Sequence, residues 1–526
     1  MKLKRLLTPL ALAGLMSCGL ARADLVTVTN DVIAAEHWYS TNTYLLGTMV
    51  YVQSNAVLSI EPGTVIKAGT SNLLGRDGLP NLVAGLWVGR GGKLYATGAV
   101  SAPIIMTYDG DNVNDPYDLP FNTSGKWGGL VICGNAQINS AQYASGQAAT
   151  PKFERFEGLT TDGTNGVHLF GGNDDNDNSG IIRYVSIRYA GNEFAPAKEL
   201  NGLSMGSVGA GTTIEYVEVL NSSDDGFEFF GGNVNTKHLV AAFCEDDDFD
   251  TDQGYRGTNQ FWFGIKPTWN GSTDSRGFET DGDLSQTGYP GGNATPVSSW
   301  AAYNVTLIGR GQAVSGFGGG RVWNSRDEAR PNIFNSVFTE FNQGVLVDSD
   351  GINEFDTGVA TLKNSIINVA SNAASANAAY LTTNSAYANS ELNPLLGGVS
   401  YTNNLGLNPR PQPGSPALTN VLAGAPTAVS YRGAFAPNDS WADGWTALSS
   451  LGFLEPSVPI LSIVPNGASV GIAWNSLPGK AYLLQSKATI GGTWVDEGAA
   501  LMATDATLST NLPANGAEQY YRIMRQ

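Results

Sequence analysis

Short runs rich in Val, Ile, Thr, Tyr and Phe recur along this chain, each bounded by Gly, Asn, Asp or Ser. That is the pattern of short β-strands, and no sustained 3.6-residue period competes with it. YVQSNAVLSIEPGTVIKAG (51–69) alternates apolar and polar positions about a Pro62-Gly63 turn, and LWVGRGGKLYATGAVSAPIIMT (86–107) and KWGGLVICGNAQIN (126–139) repeat the arrangement. Further on, the cores YVSIR (184–188), YVEVL (216–220), HLVAA (238–242), YNVTL (303–307), FNSVF (334–338) and KNSII (363–367) start 32, 22, 65, 31 and 29 residues apart. FWFGI (261–265) divides the 65-residue gap into two turns. A period in this range marks a solenoid, and a unit of strands and loops without helix predicts a parallel β-helix. Asn304, Asn335 and Asn364 suit left-handed turn positions that stack from coil to coil. Residues 24–50 are expected to cap one end, and GAFAPNDSWADGWTAL (433–448) to close the other.

The texture changes near Ser371. Residues 371–390 are rich in Ala, Asn and Ser, and NPRPQPGSPAL (408–418) is an extended Pro-rich piece. Glu455-Pro456-Ser457-Val458-Pro459 reads as a linker. SVGIAWNS, AYLLQSKA and QYYRIMR then alternate as strands of a small C-terminal β-sandwich, with Trp474 and Trp494 as its core aromatics. The division is 1–23 export signal, 24–453 β-helix with caps, 454–460 linker and 461–526 sandwich.

The signal carries Lys2, Lys4 and Arg5, an apolar stretch from Leu6 to Leu20, and an Ala21-Arg22-Ala23 cleavage site. Leu15-Met16-Ser17-Cys18 offers a second processing route, with a lipid anchor on Cys18. Both routes export the protein to the cell surface or the medium. No later segment is long and apolar enough for a transmembrane helix. Cys133 and Cys244 lie in strand-like runs without metal-ligand spacing and read as small buried hydrophobes. The net charge is −18, which disfavours nucleic acid and favours cations as partners.

TYLLGTMVYVQSNAVLSIEPGTVIKAG, GKWGGLVICGNAQIN, the tract from NGLSMGSVGAGTTIEYVEV through NSSDDGFEFFGG to DDDFDTDQGYRG, and GAFAPNDSWADGWTAL together resemble a family of secreted bacterial β-helix proteins. That family includes leptospiral surface lipoproteins. The resemblance runs over roughly residues 24–453 and implies an all-β fold, a right-handed parallel β-helix of the pectate-lyase type. It implies no particular reaction. The tail from residue 461 resembles the fibronectin-like modules of exported proteins.

Only 14% of residues are charged, yet carboxylates crowd NSSDDGFEFFGG (221–232), EDDDFDTDQGYRG (245–257) and DSRGFETDGD (274–283). On stacked coils these clusters fall about 5 Å apart per layer, and so many like charges call for a counter-ion. Calcium is the expected one, because it takes clustered carboxylate, amide and carbonyl oxygens. The candidate ligands are Asp175, Asp177, Asp224, Asp225, Glu228, Asp248, Asp250, Asp252, Asp281 and Asp283. Asp248, Asp250 and Asp252 have an EF-hand rhythm, but Gly254 falls one place late and the twelfth position is Asn259. Were the protein an enzyme, Asp224, Asp225, Asp247 and Asp248 could supply an acid–base pair. Arg256, Arg276, Arg321 or Lys266 could be a lyase base beside the cation. The Gly-His-Gly element that accompanies hydrolase carboxylates is missing, and the histidines are His37, His168 and His238. Trp262, Trp269 and Trp323 are candidates for stacking on a sugar, with plugging of the core as the competing role. The expected function is a calcium-stabilised exported protein that binds a polysaccharide or surface partner without cleaving it. A calcium-dependent lyase, an acidic-pair hydrolase and a pure scaffold are the alternatives.

Overall fold

The computed structural model describes residues 24–525 apart from 70–82, 141–150, 160, 196–197, 270–274, 283–293, 313–319, 350, 456–459, 477–480, 490–491, 506 and 515–518. The signal segment with Cys18, most of the linker and Asp283 lie outside the described residues.

Parallel strands stack in three columns, so each coil has three faces. The first column runs through Met49–Val52, Gly85–Val88, Leu130–Cys133, Leu203–Gly206, Phe227–Phe230, Phe249–Asp252, Arg276–Asp281 and Arg321–Arg326. The second and third faces are shared by long strands that bend, among them Gly180–Arg188, Thr213–Leu220, Thr236–Ala242 and Thr258–Ile265. Thr258–Ile265 pairs onward with both Ala301–Tyr303 and Thr306–Ile308, which places FWFGI as the extra coil inferred from the spacing. Inward residues such as Phe229, Phe249, Trp262, Phe278 and Trp323 form one continuous core. Parallel strands need both faces covered or solvated in a fixed register, and here the coil interior supplies the buried side.

The bend between the second and third faces has a fixed chemistry. Tyr184, Tyr216, His238, Phe261, Asn304, Asn335 and Asn364 all have φ between 50° and 59°. Register makes them equivalent, because Val185, Val217, Leu239 and Trp262 follow them and pair in turn. The repeat therefore aligns Asn304 with Phe261, one residue later than matching Tyr303 to Phe261 would place it. The first four rings stack: Tyr184 on Tyr216 at 4.5 Å, Tyr216 on His238 at 4.1 Å, and His238 on Phe261 at 4.9 Å. Stacking offsets the cost of left-handed backbone at bulky residues, about 1–2 kcal/mol each. The three asparagines use side-chain amides instead, donating to the carbonyls of Tyr431, Leu422 and Asn420.

Two expectations about the ends are corrected. Asp24–Val28, Ala35–Trp38 and Asn42–Leu46 already pair in parallel with later strands, so residues 24–46 form coil rather than a separate cap. GAFAPNDSWADGWTAL lies along the side of the third face, not across the end. Phe435, Ala442, Trp445 and Leu448 pack with Leu220, Val240, Phe263 and Ile308, the outward apolar residues of that face. Buried Glu218 fastens this segment by accepting the backbone N–H groups of Ala447 (2.5 Å) and Leu448 (3.0 Å) and the Ser186 hydroxyl (2.6 Å). A solenoid with an apolar outer face must cover it, and the sequence after residue 400 does so.

At the C-terminus, Ile460–Asn466, Ser469–Asn475 and Thr507–Pro513 form one antiparallel sheet. Ala481–Lys487 pairs with Tyr520–Arg525 in another. Ile472, Trp474, Tyr482 and Leu484 fill the space between. Trp494 is not in that core; it lies half-buried between Lys487 and Arg522, whose cationic groups sit 4.5 and 4.6 Å from its ring. Cys133 and Cys244 are buried and free. No helix among the described residues is long and apolar enough to cross a membrane.

Candidate acidic site on the first face

Strand alternation points Phe227, Phe229, Phe249, Thr251, Phe278 and Thr280 inward, and Glu228, Asp250, Asp252, Glu279 and Asp281 outward. Glu228 pairs in register with Asp250, and Asp250 with Glu279. Asp281 pairs with Arg326. The loops entering these strands add Asp224 and Asp225 from one coil, Asp246 and Asp247 from the next. The column is therefore a ladder of carboxylates several coils high.

Its two ends differ. At the C-terminal end, Arg276 meets Glu279 at 2.6 Å and Asp247 at 3.4 Å, and its backbone N–H donates to Asp247 at 2.6 Å. Arg326 meets Glu279 at 2.9 Å and grips Asp281 with two hydrogen bonds. At the N-terminal end, no Lys or Arg pairs with Asp224, Asp225, Glu228 or Asp250 among the described residues. Asp225 accepts the Asp247 backbone N–H at 2.8 Å, and Glu228 accepts the Asn201 side-chain amide. Carboxylate oxygens of Asp224, Asp225 and Asp246 lie within 4.8 Å of one another, as do those of Asp225, Glu228 and Asp250.

Burial first, and then mutual repulsion, push the carboxyls of Asp224, Asp225, Glu228, Asp250 and Asp252 well above the usual range. Glu279 rises to about 8 for the same two reasons, despite both arginines. Glu157, from the adjoining hairpin, is raised to about 7 chiefly by burial, and Lys198 stands 3.7 Å from it. Ionising this cluster at neutral pH without a cation is costly. The oxygen-only donor set fits a hard divalent ion such as calcium.

Several expected residues are elsewhere. Asp248 faces the interior, where fully buried Lys266 contacts it at 3.1 Å; Asp248 is neither a ligand beside Asp250 nor an acid–base partner, and Lys266 is not an accessible base. Asp175 is held by Arg256 at 2.8 and 2.9 Å and by Gln137, and the Arg256 hydrogen bonds lead in lowering its pKa. That pairing removes Asp175 as a cation ligand and Arg256 as a lyase base. Asp177 accepts from Asn135 at 3.0 Å in the same corner, apart from the ladder. Asp252 and Asp281 are on the ladder but outside both close triads. Trp262 is fully buried against Phe249 at 4.4 Å, and Trp323 is fully buried with its indole N–H on Thr280, so neither can stack on a ligand. Trp269 packs half-buried on Phe243 beneath the third face. Arg321 donates to Gln343 at 2.7 Å. Asp246, Glu279, Asn201 and Arg326 are the members that residue patterns did not single out. Glu279 and Asp246 lie inside the acidic clusters; Asn201 and Arg326 come from other coils, and only register brings them in.

The family model for a pectate-lyase-like β-helix domain matches residues 28–446. The chain belongs to that family. The match covers the three-faced coil after its first strand and most of the segment along its third face. No curated protein matches the sequence. Within this pectate-lyase-like β-helix, the acidic column occupies the outer side of one parallel sheet and the inner side is closed by aromatic residues.

Proposed function

We propose that this β-helix is an exported, calcium-stabilised protein that binds a polysaccharide or another surface polymer along its first face without cleaving it. The observation that carries this reading is the convergence of Asp224, Asp225, Glu228 and Asp250 with no basic partner among the described residues. A cation there lowers the electrostatic cost and offers open coordination positions to hydroxyl or carboxylate groups of a polymer. The bases a lyase would use support the non-catalytic side. Arg256, Arg276 and Lys266 are each tied to a carboxylate. Export rests on the N-terminal signal pattern, with the lipid anchor at Cys18 as one route.

A second reading, acidic-pair hydrolysis, draws on the close carboxylate oxygens of Asp225 and Glu228, within 4.8 Å. Retaining glycosidases hold their pair about 5–5.5 Å apart. One experiment separates the readings. The purified protein is analysed for bound metal, melted with and without a chelator, and incubated with an acidic and neutral glycan panel scored for retention, reducing ends and unsaturated products. Calcium in the protein, a chelator-lowered midpoint and retention without products are expected. Absence of calcium with an unmoved midpoint overturns the cation reading, and product release overturns the non-catalytic one.

A further inference from the structure

Asp225 belongs to both close triads, one with Asp224 and Asp246, the other with Glu228 and Asp250. Each triad draws on two neighbouring coils, and Asp225 stands where they meet. A carboxylate has two oxygens and about four lone-pair directions, enough to serve two ions at once. The span of up to 4.8 Å within each triad accommodates two oxygens on opposite sides of one calcium, since Ca–O distances are roughly 2.3–2.6 Å. Magnesium, at roughly 2.1 Å and strictly octahedral, would require the carboxylates to close in.

A second observation comes from a neutral side chain. Asn201 is 1% exposed and donates its Nδ2 to Glu228, while its own Oδ1 is enclosed and accepts no hydrogen bond. Oδ1 of Asp250 is likewise enclosed without a donor. A buried amide oxygen without a donor is unfavourable, and it is also a calcium ligand of the usual kind. Asn201 enters beside Glu228 because Ser204, whose hydroxyl accepts from the Asn201 amide, pairs with Glu228 in register. It lies on the coil before the carboxylates and adds no charge to them.

We infer that the N-terminal end of the ladder holds two adjacent calcium ions bridged by Asp225, one completed by Asp224 and Asp246, the other by Glu228, Asp250 and the amide oxygen of Asn201. This rests on the cation reading above and sharpens it. Two ions give the site a net charge near balance: five carboxylates against four positive charges. The arginines play the same part at the other end of the column. They stand beside Asp247, Glu279 and Asp281.

Native mass spectrometry and calorimetric calcium titration of the chelator-stripped, full-length protein count the ions. Two per chain are expected. Asp224→Asn should leave one ion and Glu228→Gln should leave one, whereas Asp225→Asn should weaken both by tenfold or more. Asn201→Ala should weaken only one. The unsubstituted protein provides a check that needs no variant. Ions sharing a carboxylate lie about 4 Å apart, so mixed terbium and europium loading should shorten the terbium luminescence lifetime. A single bound ion, an unchanged terbium lifetime, or loss of only one ion in Asp225→Asn overturns the bridged pair while leaving the cation reading standing. Absence of any bound ion overturns both.

Discussion

Arg326 grips Asp281 by two parallel hydrogen bonds, Nε to Oδ1 at 2.7 Å and Nη2 to Oδ2 at 2.6 Å, across adjacent coils in register. The same guanidinium reaches Glu279 at 2.9 Å. Burial alone would weaken the charge of Arg326, but its hydrogen bonds and attraction to Asp281 hold the guanidinium above its ordinary pKa. With Arg276 on Glu279, it offsets the repulsion between neighbouring carboxylates in this section of the column. Arg326→Met leaves two carboxylates without it, and stability should fall by about 2–4 kcal/mol. Calcium should then stabilise the variant more than the parent, because unpaired carboxylates are its ligands. Paired thermal melts with calcium and with chelator test this. Equal calcium shifts in the two proteins would count against a shared electrostatic role for arginine and cation.

His238 is clamped between Tyr216 and Phe261, with Trp441 edge-on at 4.9 Å. Burial, reinforced by neighbouring Lys237, lowers its pKa to about 3. The folded protein therefore resists protonation that the unfolded chain accepts near pH 6.5. The neutral ring's contribution is complete above about pH 6.5 and is lost as pH falls toward 3. His238→Phe keeps a flat ring in the stack and removes the titration. Its stability relative to the parent should rise by up to a few kcal/mol as pH falls through that window. Urea midpoints of both proteins across the range decide the matter, and parallel pH profiles would refute it.

Asn335 combines a left-handed backbone, φ 52°, with a reciprocal pair of 2.8 Å hydrogen bonds to the backbone of Leu422. Both Asn335→Gly and Asn335→Ala lose those bonds, but only alanine retains the left-handed strain. The alanine variant should be less stable than the glycine variant by about 1 kcal/mol, after allowing for the greater freedom of unfolded glycine. Matching denaturation midpoints would show that the corner backbone relaxes when the side chain is removed.

Much of the fold was legible because its signals are local. Strand length, period and the missing helical pattern pointed to stacked coils, and the asparagines marked three left-handed corners. Tyr184, Tyr216, His238 and Phe261 were not recognisable as the same corner, because bulky residues rarely adopt that backbone and only ring stacking makes it tolerable here. The acidic face was legible as a location, since FEFF and FDTD alternate with a period of two. The burial of Trp262 was not, because alternation by itself gives no sign of whether an indole on the next coil faces the core or the solvent.

By itself the sequence determined that this chain stacks short strands into a β-helix and that its carboxylates gather on a few consecutive coils. Those facts follow from residues close in the chain. The tertiary structure decided which carboxylate meets which partner. Coil lengths vary, so the neighbour of each side chain across the ladder is set by register: Asp281 falls beside Arg326, Asp248 turns inward to Lys266, and Glu228 and Asp250 face each other without an arginine. Electrostatic energy depends on separations of a few ångströms and on burial, neither of which a linear pattern specifies.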